Sequence, residues 1–490
     1  MNANKLLQPI DRLAIALVIL LALIIGLLVW VGNVCDDTCI FYAGARVNGF
    51  NWENKTIGSE DRAFILNFNR PLDRTSVEQN LTISPALPGK ISWSGLRLAY
   101  TLKSPAPYGE NYQVSLAEAT ERFSNQEKVG NKIRPFAAKF RSRDRASAYI
   151  GTQGIEKGKL VLFNWTQQKK TILTPNDLTV FDFEPYPQGD RLLFSAADNK
   201  LGIKGILNLQ LYTVTTGLNS EVNNNNPQPK LILDNQKYQN NQFDLAEDGK
   251  KILVQRLNRN NPNNSGLWMI TADQPPQLIT DAQIGDFLIA PDSQTVAVAQ
   301  GEGIALLPLE TNAKPLDFIP KFGQVLDFTA DGTGAAMINY NTDNAKLSYT
   351  RSLFYVNTQG IQKELLNTEG SIQSCQFDPT ATYLYCWLTE LIKGKEYIEK
   401  PYIAEINLKT GKARTLISLA EYQDSQLSVA PDGLGILFER SPNSTSSATD
   451  SSTTSGQSIW LLIRASQKSN SADFNAEQLP FVGFRPQWLP

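Results

Sequence analysis

The chain has 490 residues, 46 Lys and Arg against 48 Asp and Glu, and no histidine. A net charge of −2 without a strongly basic half lacks the electrostatic footprint of a nucleic-acid binder. The absence of imidazole excludes Ser-His-Asp and Cys-His catalysis and removes the commonest zinc ligand; carboxylate-only chemistry, as in glycosidases, stays open.

The length allows two or three domains, at roughly 100 to 200 residues each. Residues 1–12 contain Lys5 and Arg12 and precede an unbroken apolar run from Leu13 to Val31. At about 1.5 Å per residue that run spans about 28 Å, close to a bilayer's hydrocarbon thickness. It predicts an N-terminal transmembrane helix over 13–33, an uncleaved anchor, because the run exceeds a signal-peptide core and no small-x-small site follows. Asp36 and Asp37 lie beyond it, so the positive-inside rule puts residues 1–12 in the cytoplasm. The bulk of the chain is then periplasmic, extracytoplasmic or lumenal, after a linker at 34–50.

From residue 51 short apolar and polar alternations follow one another: RAFILNF, LTISP, KISWSG, LRLAYTL, NYQVSLAEA and AAKFRSR. Period-2 bursts separated by Pro, Gly and Asn turns predict an antiparallel sandwich over 51–143. FILNFNRPLDRTSVEQNLTISP, with Pro71 and Asp73 at its corner, and the strand around Tyr108-Gly109 and Tyr112 resemble Ig-like domains of the SbsA type. That resemblance implies a spacer or adhesive module.

The remainder, 144–490, repeats a strand-turn-strand unit: FDLAEDGKKILVQ, FLIAPDSQTVAVA, LDFTADGTGAAMI, CQFDPTATYLYCW and LSVAPDGLGILFE. The last apolar residue before each turn and the first of the return strand are Leu245 and Ile252, Ile289 and Val296, Phe328 and Ala335, Phe377 and Leu384, and Val429 and Ile436. FDFEPYPQGDRLLFS reads as a sixth copy with a longer turn, from Phe183 to Leu192. Spacings of about 40 to 60 residues with four strands per unit mark β-propeller blades. The hairpins resemble those of TolB-type propellers, APDG at 430–433 being the nearest match. Asp and Gly close tight turns through side-chain hydrogen bonds and positive φ, a structural task.

The chain ends VGFRPQWLP, an inner strand without its return strand, whereas SAYIGTQG, KLVLFNW and KKTILTP near residue 150 lack an inner partner. Pairing the two closes the ring and removes open edges. The expected fold class is therefore all-β: an Ig-like sandwich plus a β-propeller, seven blades favoured and six possible, with one N-terminal transmembrane helix.

NRNNPNNSG, NYNTDNAKLSYT, TELIKGKEYIEKP and SPNSTSSATDSSTTSGQS all read as long loops joining the second strand of a blade to the third, on one face. Loops on rigid scaffolds carry recognition, so that face is the expected site for an unidentified protein or glycan partner. Asp182, Asp244 and Asp327 share a place one residue before the anchor. They are candidate binding residues for a cation or basic segment; the competing reading is that each caps backbone amides in its own blade.

Cys375 and Cys386 fall opposite each other across the Phe377–Leu384 hairpin, at a separation suited to a disulfide. Two buried thiols are the alternative, and a metal lacks further ligands. Cys35 and Cys39 form a possible second bridge. No cofactor and no metal is expected. The function read from these features is a non-catalytic, membrane-anchored propeller for binding or scaffolding. The alternatives are an envelope enzyme using propeller acids and an accessory subunit of a membrane complex.

Overall fold

The structure, a computed structural model, describes residues 15–26, 44–122, 131–218, 227–261, 263–272, 274–310, 314–394, 397–419, 426–440, 457–464 and 474–490. Residues 15–26 are helical with exposed side chains. No helix among the described residues is long and apolar enough to cross a membrane, so the expected transmembrane helix has no structural support. The rest of that stretch, with Cys35 and Cys39, lies outside the described residues.

The described residues 44–141, apart from two short segments, form one compact unit. Two four-stranded antiparallel sheets build it, in the orders Val47–Phe50, Ala63–Phe68, Arg97–Leu102, Gly89–Ser94 and Thr56–Ile57, Phe136–Ser142, Asn111–Leu116, Leu81–Ser84. The alternation read from the sequence places Phe64, Leu66 and Phe68 inward from one sheet and Tyr112, Val114 and Leu116 inward from the other. Trp52 fills the space between Phe64 and Phe140, with ring centroids 5.5 and 5.1 Å away. The sandwich begins earlier than its alternation suggests: Val47–Phe50, assigned to a linker, pairs with Ala63–Phe68. At the RPLD corner a helix, Arg74–Asn80, starts where the Asp73 carboxylate accepts from Ser76 N at 2.7 Å, the ordinary solution for an unsatisfied first-turn amide.

The second unit holds 142–490 with Gly58–Glu60 and Pro107–Gly109. Five four-stranded antiparallel sheets follow one another at 178–233, 238–280, 287–320, 324–368 and 372–418, here called blades 2 to 6. The long last strand, Phe474–Trp488, serves two further blades. Its first part is the outer strand beside Ser458–Arg464 in blade 7, and its last part pairs Gly483 with Gly151 and Trp488 with Ser147 in blade 1. Among the described residues seven blades result, and the C-terminal strand closes the ring as the unpaired strands at the two ends of the repeat imply.

Five inner hairpins have the register expected from the repeat, from Leu245 opposite Ile252 to Val429 opposite Ile436. In blade 2 the register differs. Pro185, not Phe183, stands opposite Leu192, and Phe183 faces Phe194. The turn thus has the common length, and the blade's anchor is a proline.

Cys375 and Cys386 are directly paired and form a disulfide with Cα atoms 4.1 Å apart, inside the core shared by blades 5 and 6. One predicted loop is largely strand. Within TELIKGKEYIEKP, Thr389 to Ile392 pair with Pro401 to Ile398, because strands Tyr383–Ile392 and Ile398–Asn407 run on beyond the blade as a hairpin. Its alternation of apolar and charged residues suits a two-stranded ribbon with one wet side.

Candidate functional site

The inner strand of each blade pairs on one side with its own second strand. Its other edge would carry unpaired N–H groups. A belt of side chains satisfies them. At the position before the anchor, Asp244 Oδ2 accepts from Ile289 N of the next blade at 2.5 Å, Asp327 Oδ2 from Phe377 N at 2.7 Å, Gln376 Oε1 from Val429 N at 2.8 Å, and Ser428 Oγ from Trp488 N at 3.0 Å. Glu184, the blade 2 member once Pro185 is the anchor, hydrogen-bonds the Leu245 N–H, which also donates to Asp244 of its own strand. Pro185 has no N–H to offer blade 1, and Gln487 instead donates through Nε2 to Phe183 O at 3.1 Å. Only Leu288 of blade 4 lacks a polar group at this position.

The three aspartates therefore do not act alike. Asp244 and Asp327 join their own blade to the next, beyond the local capping expected of them. Asp182 lies three residues before the anchor, accepts from Phe183 N at 2.9 Å and ion-pairs with Arg485, which has positive φ at a bulge in the last strand. Sequence reasoning from the recurring aspartates did not single out Glu184, Gln376 or Ser428. Taking Pro185 as the anchor, which gives the common six-residue turn, would have found Glu184. The bonds themselves join residues about 45 to 60 positions apart, beyond any local pattern.

Enclosure by protein moves the carboxyls upward. Asp244 and Asp327 are pushed up to about 7 by desolvation, against the lowering effect of the N–H groups they accept from. Desolvation also raises Asp182, opposed by Arg485, and raises Glu184 well above its ordinary value with help from Asp244 and Asp182. Glu247 is raised by the same desolvation, reinforced by Glu60. Among the described residues no group of three or more Cys, Asp or Glu is placed to hold a metal ion.

A second region lies on the face where second strands connect to third strands, here called the long-loop face. In blade 5, Asn341 Nδ2 donates to Thr350 Oγ1 and Ser352 Oγ at 3.0 and 3.1 Å, and Asn367 Nδ2 reaches the same two oxygens at 2.8 Å each. Beside it, Glu399 of the blade 6 hairpin accepts from Thr389 Oγ1 at 2.5 Å, Ser371 Oγ at 3.2 Å and the Tyr397 hydroxyl. Burial alone would raise Glu399. Those three hydrogen bonds and the Arg351 charge outweigh it and hold the carboxyl below its ordinary value. Lys393 ties the hairpin to Glu369 at 3.4 Å. Rising from this braced surface are Tyr349, 90% exposed, Tyr397, 71% exposed, and Tyr340.

No family model and no curated protein matches the chain. Solved structures similar to it include TolB from Acinetobacter baumannii, at 11% identity over 71% of this chain and 67% of that one, with a TM-score of 0.41. Oligogalacturonate lyase from Vibrio parahaemolyticus is similar at 12% identity over 68% and 95%, TM-score 0.44. A protein from Lactobacillus plantarum is similar at 12% identity over 71% and 100%, TM-score 0.45. These neighbours include both TolB and enzymes, and the reading of function rests on the chain's own geometry.

Proposed function

We propose that this chain is a non-catalytic envelope or lumenal protein, anchored by residues 13–33, that presents the long-loop face of its propeller to a protein partner. The observation that carries the reading is the three outward tyrosines on blades 5 and 6, on a surface braced by the hydrogen bonds of Asn341, Asn367 and Glu399. Tyrosine brings a large contact area with few rotors to order, and it is enriched among residues that dominate binding energy. The SbsA-like features of residues 60–143 fit a spacer role. The Cys375–Cys386 disulfide fits an oxidising compartment.

An enzyme reading has one observation in its favour: carboxyls near pKa 7 suit general acid catalysis. Against it, both oxygens of Asp244 already accept backbone N–H groups, from Leu245 and Ile289. Capture of partners by the full chain in detergent, with and without Tyr349→Ala and Tyr397→Ala, tests the proposal. Loss of the double variant's partner by about tenfold or more is expected. Retention at the parent level would sink it.

A further inference from the structure

Among the described residues, the longest aliphatic exposure in the propeller is on a different part of the same face. In blade 2 the link from Arg191–Asp198 to Gln210–Thr215 is a pair of 3₁₀ turns, Asn199–Leu207, with sequence NKLGIKGIL. Gly202, at φ 52 and ψ −132, breaks the turns and sends its flanking side chains outward. Leu201, Ile203, Ile206 and Leu207 are all exposed, Ile203 at 91%, and only Gly205 is buried, against Phe181 and Ala197. The corresponding link of blade 1 carries Ile155, 81% exposed.

Charges of both signs surround these residues, exposed Asp234 included, and the basic ones are interleaved with the aliphatic side chains. Lys200 and Lys204 alternate with the aliphatic side chains, and Lys157 and Arg259 are exposed on the neighbouring links. Arg259 also fixes the loop by donating to Leu207 O at 2.8 Å. Opposing them, Asp198 accepts from Lys200 N, Asp177 is exposed, and Glu156 is engaged by Lys170 and Tyr149. The exposed set has no Tyr or Trp, unlike the tyrosine surface of blades 5 and 6. Aliphatic side chains flanked by lysines match an interface with acyl chains below and anionic headgroups above.

We infer that the Asn199–Leu207 loop, with Ile155 beside it, is a shallow insertion site for an anionic lipid bilayer. The inference goes beyond the tyrosine-face reading and uses different residues. Its test is hydrogen exchange of the 199–207 backbone amides in the full chain, with vesicles of phosphatidylglycerol and phosphatidylcholine in equal parts and with phosphatidylcholine alone.

The expected result is exchange slowed at least about fivefold by the anionic vesicles only, lost in high salt and abolished by Ile203→Glu with Ile206→Glu. Unchanged exchange at Leu193 in the blade core verifies that the variant is folded. Equal slowing by both lipids would overturn the anionic assignment. Slowing without lipid that grows with protein concentration would point to self-association and overturn it, and so would no slowing at all, which leaves the loop to a protein partner. None of these outcomes depends on the tyrosine variants, so the two readings fail separately.

Discussion

The propeller will lose stability as pH rises from about 4 to about 7, the reverse of ordinary acid denaturation. The cause is the belt of carboxyls between blades. Asp244 and Asp327 move from an ordinary 3.8 in the unfolded chain to about 7 in the folded one. Between those values the folded chain binds more protons than the unfolded chain, so unfolding free energy falls with pH through that window. Each tenfold change in proton affinity is worth about 1.4 kcal/mol, which bounds either group at about 4 kcal/mol; the partial exposure of both side chains reduces this, and about 2 to 4 kcal/mol for the pair is expected.

Asp182, Glu184 and Glu247 act in the same direction, and Arg485 opposes them at Asp182. Denaturant unfolding across this range measures the slope, and Asp244→Asn with Asp327→Asn removes most of it while each amide oxygen still accepts an N–H. A slope that is flat or rising in the parent chain contradicts the account.

Trp488→Ala will cost the propeller about 3 to 5 kcal/mol, in the range of a buried aromatic truncated in a packed core. Trp488 lies in the strand that closes the ring, its ring centroid 5.5 Å from that of Trp165 and 4.5 Å from the Arg145 guanidinium carbon. Its backbone N–H is the donor to Ser428 across the blade 7 junction. Loss of the ring therefore loosens both blades that share Phe474–Trp488. Removing residues 483–490 altogether exposes the Ala146–Gly151 edge and should abolish cooperative unfolding of the propeller, since the closing strand joins the first blade to the last. An unchanged denaturation midpoint in either variant would mean that this strand does not close the ring.

Much of this architecture is legible because a propeller repeats its inner hairpin. Five turns of one length give the register directly, and that register puts Cys375 opposite Cys386 before any coordinates are known. The same logic slips where a proline replaces the usual apolar anchor: Phe183 looks more like Leu245 than Pro185 does, and the error hides Glu184. Strand ends are equally hard to see. Val47–Phe50 and the ribbon after Thr389 depend on which partner lies alongside, a tertiary fact that local alternation does not encode.

The candidate sites divide in the same way. The aspartates attract notice by recurring, yet their partners are amides of the next blade, so recurrence reflects a structural need. Tyr349 and Tyr397 stand in loops read as part of the partner face without either residue being singled out, because composition hides which of a loop's side chains the scaffold turns outward.

Cross-linking mass spectrometry on the full chain in its native membranes is the most direct test of the partner-face claim. Lys346 and Lys393 are exposed on the long-loop face, and Lys250 and Lys412 are exposed on the opposite turns. The account predicts that links to other proteins concentrate at Lys346 and Lys393 and disappear with Tyr349→Ala and Tyr397→Ala. Links concentrated at Lys250 and Lys412, and indifferent to those substitutions, would contradict it.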